Sequence, residues 1–327
     1  MSNYDVILVD VFNLFYRKKG KIMLKPHEYA ANCVRYIEEE IKHHLKKDGY
    51  LYLLYDPMPK SDLGASKKFS YSSFRQEIDS GYKATRQHTP EVQESCRLIY
   101  NYYNYRGPNI LNVSDVGLEA DDFVEQIVKK YPDSYIALYT TDMDWARYLN
   151  KNTKIINNTF DTPFSQEDFK LKYGYNPTIT SVILNKAFFG DESDNITGVF
   201  QLKKTRFLFE HVDNLAKEVI ENEISSSESI DDFSRRFKNY HTIEIIDKKE
   251  KSPEEKLFLA LDGAMSKVNV IQYLLDNIRI IKCRCKNVDS CITYHNENEA
   301  ANDLIEKVLC LKKENKKFTF GNIKISK

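Results

Sequence analysis

Nothing in the sequence approaches the roughly 20 consecutive apolar residues that a membrane-crossing helix needs. That excludes a helical integral membrane protein. Net charge is absent as well: 48 basic residues cancel 48 acidic ones. Total charge therefore names no class of partner, although a cancelled sum can hide separated patches. Six cysteines among 327 residues are too few for a disulfide scaffold and suit reduced thiols. Cys283, Cys285, Cys291 and His295 follow a C-x-C-x5-C-x3-H order. The first spacing is tight for zinc, however, and "IRIIKCRC" alternates as one face of a strand would, so these are read as buried thiols. The start "MSNYDVILVD" has neither a basic stretch nor a small-residue cleavage site. No signal peptide is read, and a cytoplasmic protein is expected. Internal repeats are also missing.

What is present is a hydrophobic content of 42%, enough for one large core with an appended region. The first half alternates strand and helix signals. "DVILVD" (5–10) and "YLYLLYD" (50–56) are short β-prone runs, each ending in Asp. Between them "PHEYAANCVRYIEEEIKHHLKKDG" has helical spacing and closes on Lys and Gly, a helix stop. "EVQESCRLIYNYYNY" then reads as helix, "NILNV" as strand, "LEADDFVEQIVKKYPD" as helix and "SYIALYTTD" as strand. Strands separated by helices imply βαβ units and an α/β fold with a central, mostly parallel sheet. Residues 57–90 interrupt the rhythm with Lys60, Lys67, Lys68, Arg75, Lys83 and Arg86, interleaved with Phe69, Tyr71, Phe74 and Tyr82. Taken alone, that is a solvated insertion, but basic residues mixed with aromatics also make a single-strand-binding surface. Beyond residue 175 helices dominate, "SSSES" (225–229) reads as a linker, and the tail from 312 is lysine-rich.

Carboxylates recur where these strands end. Asp10 ends the first and Asp56 the second. Glu119, Asp121 and Asp122 open the helix after the third, and Asp142 and Asp144 follow the fourth. Each alone is an ordinary helix cap or loop acid. In an open α/β sheet, however, the carboxyl ends of parallel strands share one edge, where ligands bind. Asp191 and Asp194 in "FFGDESDNITGV", three apart as on one helical face, supply a further acidic element. An all-oxygen set without His or Cys favours Mg²⁺ or Mn²⁺. So many acids call for two ions, an arrangement suited to phosphodiester cleavage.

The elements "LVDVFNLFYR", "LLYDP", "YKATR", "GLEADD", "TTDMDW" and "GDESDNITGV", in this order, resemble the 5′-nuclease family of flap endonucleases and 5′→3′ exonucleases. They span residues 5 to 199. The resemblance implies a PIN-like α/β nuclease core over 1–180, including a basic helical arch at 57–90. It also implies a helical, helix–hairpin–helix-like duplex-binding and C-terminal region over 181–327. Asp10, Asp56, Glu119, Asp121 and Asp122 are assigned to a first metal site, and Asp142, Asp144, Asp191 and Asp194 to a second. Two Mg²⁺ ions are implied, with Mn²⁺ able to substitute. Lys83 and Arg86 match a catalytic basic pair that activates the phosphate. Arg17, Lys67, Lys68, Arg75 and Tyr82 would contact the single strand, and Lys203, Lys204 and Arg206 the duplex. Relatives carry a glycine-containing hairpin that binds phosphate and K⁺, whereas "FQLKKTRF" here has no glycine, which argues against the K⁺ site. The departure is similar to the bacteriophage branch first described as RNase H enzymes.

The implied activity is structure-specific 5′ hydrolysis of DNA flaps, nicks or RNA primers in replication or repair. The implied protein is a monomer in the host cytoplasm that meets a sliding clamp or single-strand-binding protein. Two alternatives stay open. One is a nucleic-acid-binding protein of this fold with a degenerate active site, against which the near-complete acid set argues. The other is a toprim-like Mg²⁺ enzyme, which leaves Asp10, Asp56 and the Gly-Asp element unexplained.

Overall fold

The structure, a computed structural model, describes residues 4–18, 25–57, 75–76, 80, 82–83, 90–104, 106–115, 117–157, 162–197, 280–281 and 285–293. The alternation of strand and helix continues directly into it. Strands β1 (Tyr4–Asp10), β2 (Leu45–Leu54), β3 (Ile110–Val113), β4 (Ile136–Tyr139) and β5 (Thr153–Ile156) pair in parallel. The spatial order is β5-β4-β1-β2-β3, and β8 (Ile292–Thr293) adds antiparallel to the outer edge of β3. Helices α1 (Val11–Lys18), α2 (Pro26–Tyr36) and α3 (Pro90–Tyr103) precede β3, and α4 (Ala120–Lys130) follows it. After β5 come α5 (Gln166–Tyr173), α6 (Ile179–Phe189) and the two-residue strands β6 (Gly190–Asp191) and β7 (Ile196–Thr197).

Both faces of the sheet are covered, which is why the strands read as continuous apolar runs. The period of two sorts their side chains. Ile7, Val9, Leu51, Leu53 and Tyr55 pack with α1, α2 and α3 on one face. Val6, Leu8, Tyr52 and Leu54 meet Phe123, Val124 and Ile127 of α4, together with Trp145, on the other. Ala120 and Phe123 of α4 both turn inward and are buried.

Three local readings are corrected. Lys46 to Gly49 do not end a helix: α2 runs on as a π-turn (Ile37–Ile41) and a 3₁₀ turn (Lys42–His44), and β2 begins at Leu45. Gly49 serves close approach, since a Cβ there would stand 2.8 Å from the Asp5 carbonyl oxygen. Ile280 and Ile281 are helical and not part of a strand; the late strand is β8. Cys285 and Cys291 are buried thiols, and burial pushes the Cys285 thiol up to about 12, while Cys283 and His295 lie outside the described residues. Third, Asp191 and Asp194 do not share an α-helical face: Asp191 closes β6 and Asp194 ends a 3₁₀ turn (Glu192–Asp194).

The sheet order reverses at β1. The chain moves outward through β2 and β3, then returns to place β4 on β1's other side. The crevice between the carboxyl ends of β1 and β4 is thus the switch point where α/β sheets bind ligands. Among the described residues no helix is long and apolar enough to cross a membrane.

Candidate metal centre

A cleft of about 620 Å³ opens at that switch point. Eight carboxylates line it: Asp10, Asp56, Glu119, Asp121, Asp142, Asp144, Asp191 and Asp194, with Arg75 and Lys83 as its lining cations. Backbone geometry fixes the acids. Asp10 ends β1 and accepts from the Asn13 N–H at 2.9 Å, which caps the start of α1. Asp56, just past β2, accepts from the Ala120 N–H at 3.1 Å and so ties the strand end to the start of α4. Thr140, at the end of β4, accepts from the Asp142 N–H at 3.0 Å, and Asp142 accepts from the Asp144 N–H at 3.0 Å. Asp191 accepts from the Ser193 N–H and hydroxyl at 2.8 and 2.6 Å.

Two electrostatic halves follow. In the first, Arg75 is 4% exposed and its guanidinium donates to Glu119 at 3.0 Å, Asp121 at 2.8 Å and Asp122 at 3.0 Å. Arg147 donates to Asp121 at 3.1 Å and to the Ile281 carbonyl at 3.1 Å, and Lys83 reaches Glu119 at 2.5 Å. Burial would raise the Glu119 and Asp121 carboxyls, but Arg75, with Lys83 and Arg147, outweighs it and holds both below the usual range. In the second half, Lys186 pairs with Asp144, with Asp191 at 2.6 Å and with Asp194 at 3.1 Å. Burial would likewise raise Asp191, but Lys186 and Ser193 bring it to about 2.

Between the halves stand Asp10 and Asp142. Burial, then the charge of Asp56, pushes Asp10 up to about 8. Burial, then the charge of Asp144, pushes Asp142 up to about 6. Bound cations would relieve carboxylates whose charge is disfavoured in this way. Oxygen atoms of Asp144, Asp191 and Asp194 also converge within 4.8 Å of one another. An all-oxygen, acid-rich donor set of this kind fits hard divalent cations.

The cleft gathers eight of the nine acids singled out in the sequence. The ninth, Asp122, is buried and does not line it. Its position three residues beyond Glu119 turns it back on the helix start, where it accepts from the Glu119 N–H at 2.9 Å. Two of the residues expected at the single strand pack against these acids. Arg75 is inside the acid cluster, and Tyr82 is 1% exposed with its hydroxyl donating to Glu119 at 3.1 Å. Burial raises that hydroxyl's pKa well above the tyrosine range. Lys83 does reach the cleft, held in a left-handed backbone at φ 49° by its N–H bond to the Asp194 carbonyl at 3.0 Å. A non-glycine residue there stores about 1 kcal/mol. Lys67, Lys68, Arg86, Lys203, Lys204 and Arg206 lie outside the described residues, as does the Arg17 side chain, whose backbone belongs to α1.

Arg147 and Lys186 escaped the sequence reading. Lys186 had a legible signal, being the sole charge in "ITSVILNKAFF". A single charge in an apolar helix needs a buried partner.

A parallel sheet carrying an all-oxygen acidic cleft at its switch point suits metal-assisted phosphoryl chemistry, of which phosphodiester cleavage is one form. Residues 5–174 match the family described as 5′-3′ exonuclease, N-terminal resolvase-like domain, and the chain belongs to that family. Membership in that family makes it an enzyme, a nuclease of the 5′→3′ exonuclease type. Among solved structures it is similar to the T5 5′-exonuclease with divalent zinc ions bound, at 20% identity and a TM-score of 0.54, covering 94% of this chain and 98% of that one. The T5 D15 protein co-crystallised with metal ions is similar at 18% identity and a TM-score of 0.50, with the same coverage of 94% and 98%. Both likenesses are of fold. A search of curated proteins by sequence gives no significant match.

Proposed function

We propose that the protein is a structure-specific 5′ nuclease that hydrolyses DNA flaps or RNA primers at the junction of duplex and 5′ single strand, using two Mg²⁺ ions. Mn²⁺ can take their place. The observation that carries this reading is the convergence of eight carboxylates on one cleft at the sheet's switch point. Asp10, Asp56, Glu119 and Asp121 would hold one ion, and Asp142, Asp144, Asp191 and Asp194 the other. Ions bound there neutralise charge developing on the phosphate and make an attacking water more acidic.

The chain's own residues prepare the site. The Asn13 and Ala120 amides orient Asp10 and Asp56. Thr140 fixes the backbone at Asp142, so the second set of acids is pre-positioned. Lys83, whose ammonium lies on Glu119 in the cleft lining, would turn that charge to the scissile phosphate, and its left-handed backbone is braced on Asp194. Arg75 acts here as a buried counter-charge to Glu119 and Asp121. Asp122 supports the same acids by capping α4. The terminal nucleotides would unpair to bring the phosphate into the cleft, a cost of a few kcal/mol familiar from base flipping.

The test is a Mg²⁺-dependent digestion series on 5′-labelled flap, nicked, blunt, single-stranded and RNA-primed substrates. Short 5′ products are expected only from substrates with a duplex junction. Random internal cuts in single strands would reject the proposal.

A further inference from the structure

Lys186 lies in the last turn of α6, four residues before the chain turns into the Gly190–Asp191 strand. Its ammonium pairs with Asp144, Asp191 and Asp194 at once, and its side chain is 11% exposed. These are the same three acids whose oxygens converge within 4.8 Å. The lysine therefore fills the point on which the second group of carboxylates closes. A divalent ion ligated by those oxygens would sit about 2.1–2.5 Å from them. An ammonium bonded to the same three carboxylates would then be only a few ångströms from the ion, and at that separation like charges repel strongly. The two cations compete for one place.

We propose that Lys186 is an internal counter-cation for the Asp144–Asp191–Asp194 group, which a divalent ion must displace in order to load that site. The inference rests on the metal reading given above. Two consequences follow from the charges. Without metal the ammonium holds three like charges together and stabilises the fold. With metal, its removal from the triad is a cost, so Lys186 lowers the affinity of this site. It is a positioning residue that acts on the ion through the acids.

The experiment is calorimetric titration of Mn²⁺ into the full chain without DNA, paired with thermal melts. Wild type, Lys186→Met and Lys186→Arg are compared. Lys186→Met is expected to bind Mn²⁺ about tenfold more tightly at one site, a difference of about 1.4 kcal/mol. Its metal-free melting temperature is expected to fall, and its rise on adding Mn²⁺ to exceed that of wild type. Lys186→Arg, which keeps the charge, is expected to retain the weak wild-type affinity. Adding Asp191→Asn to Lys186→Met is expected to remove the gain. Unchanged or weaker Mn²⁺ binding by Lys186→Met overturns the proposal, since the lysine would then not compete. If Lys186→Met folds only with Mn²⁺, and not with NaCl at equal ionic strength, the proposal is supported. Failure to fold at every Mn²⁺ concentration overturns it. Absence of Mn²⁺ binding by wild type would instead refute the underlying metal reading, and this inference with it.

Discussion

Asp122 and Asp142 are both buried or nearly so, both sit beside strand ends, and the structure gives them different work. Asp122 divides its oxygens between the Glu119 amide and Arg75. Asp142 faces the cleft and is pushed up to about 6, first by burial and then by the charge of Asp144. Asp142→Asn or Asp191→Asn should lower cleavage about a thousandfold, the rate equivalent of roughly 4 kcal/mol of lost charge stabilisation. Junction binding measured by gel shift should persist. Full activity in either variant would sink the two-ion assignment. Arg75→Met should destabilise the metal-free chain by roughly 3–5 kcal/mol, because it strands buried carboxylates without their partner. Urea denaturation measures that loss, and saturating Mn²⁺ should shrink it. At this scale the acids were legible, because a strand end followed by Asp is a pattern of residue type and position. The partners of Arg75 were not: a basic residue in a basic segment reads as solvated until the fold brings Glu119, 44 positions away, against it.

Among the elements, the 3₁₀ turn at Met143–Tyr148 carries two functions in six residues. It sets Asp144 beside Asp142, and it buries Trp145 completely in the α4 face of the core. Trp145→Ala should cost about 3–5 kcal/mol of stability. It should also cut turnover on flap substrates by roughly a hundredfold, since a shift of about 1 Å in catalytic groups has that effect. A variant that loses stability yet keeps full turnover would separate the two functions. The sequence patterns that located β1 to β4 and α2 to α4 were apolar or periodic runs bounded by turn residues. β5 was missed because "TKII" has only two apolar residues in a polar stretch, and β8 because two residues offer no period to read. The start of β2 was missed for another reason: "KKDG" has the composition of a helix end, and only the tertiary approach of Gly49 to Asp5 makes it strand.

For the whole molecule, acids from five elements concentrate negative charge on one edge, although the 48 basic and 48 acidic residues cancel in total. Divalent ions at about 100 times their dissociation constant should therefore add roughly 2.7 kcal/mol of stability. Chelation with EDTA should lower the melting temperature by several degrees. A melt indifferent to EDTA and Mn²⁺ would contradict an ion-dependent cleft. Asp10, Asp56 and the "GLEADD", "TTDMDW" and "GDESDN" acids had already pointed to this edge, because a parallel sheet can gather them nowhere else. The place of the late segment was illegible, since pairing across 176 or more residues leaves no local trace. That pairing has a consequence during synthesis. Among the described residues the outer edge of β3 pairs with Ile292 and Thr293, so a nascent protein lacks that pairing until residue 293 has been made. Exposed edges recruit other strands. A chain stopped after residue 197 should accordingly self-associate on a sizing column where the full-length protein does not, with β3 as the adhesive border.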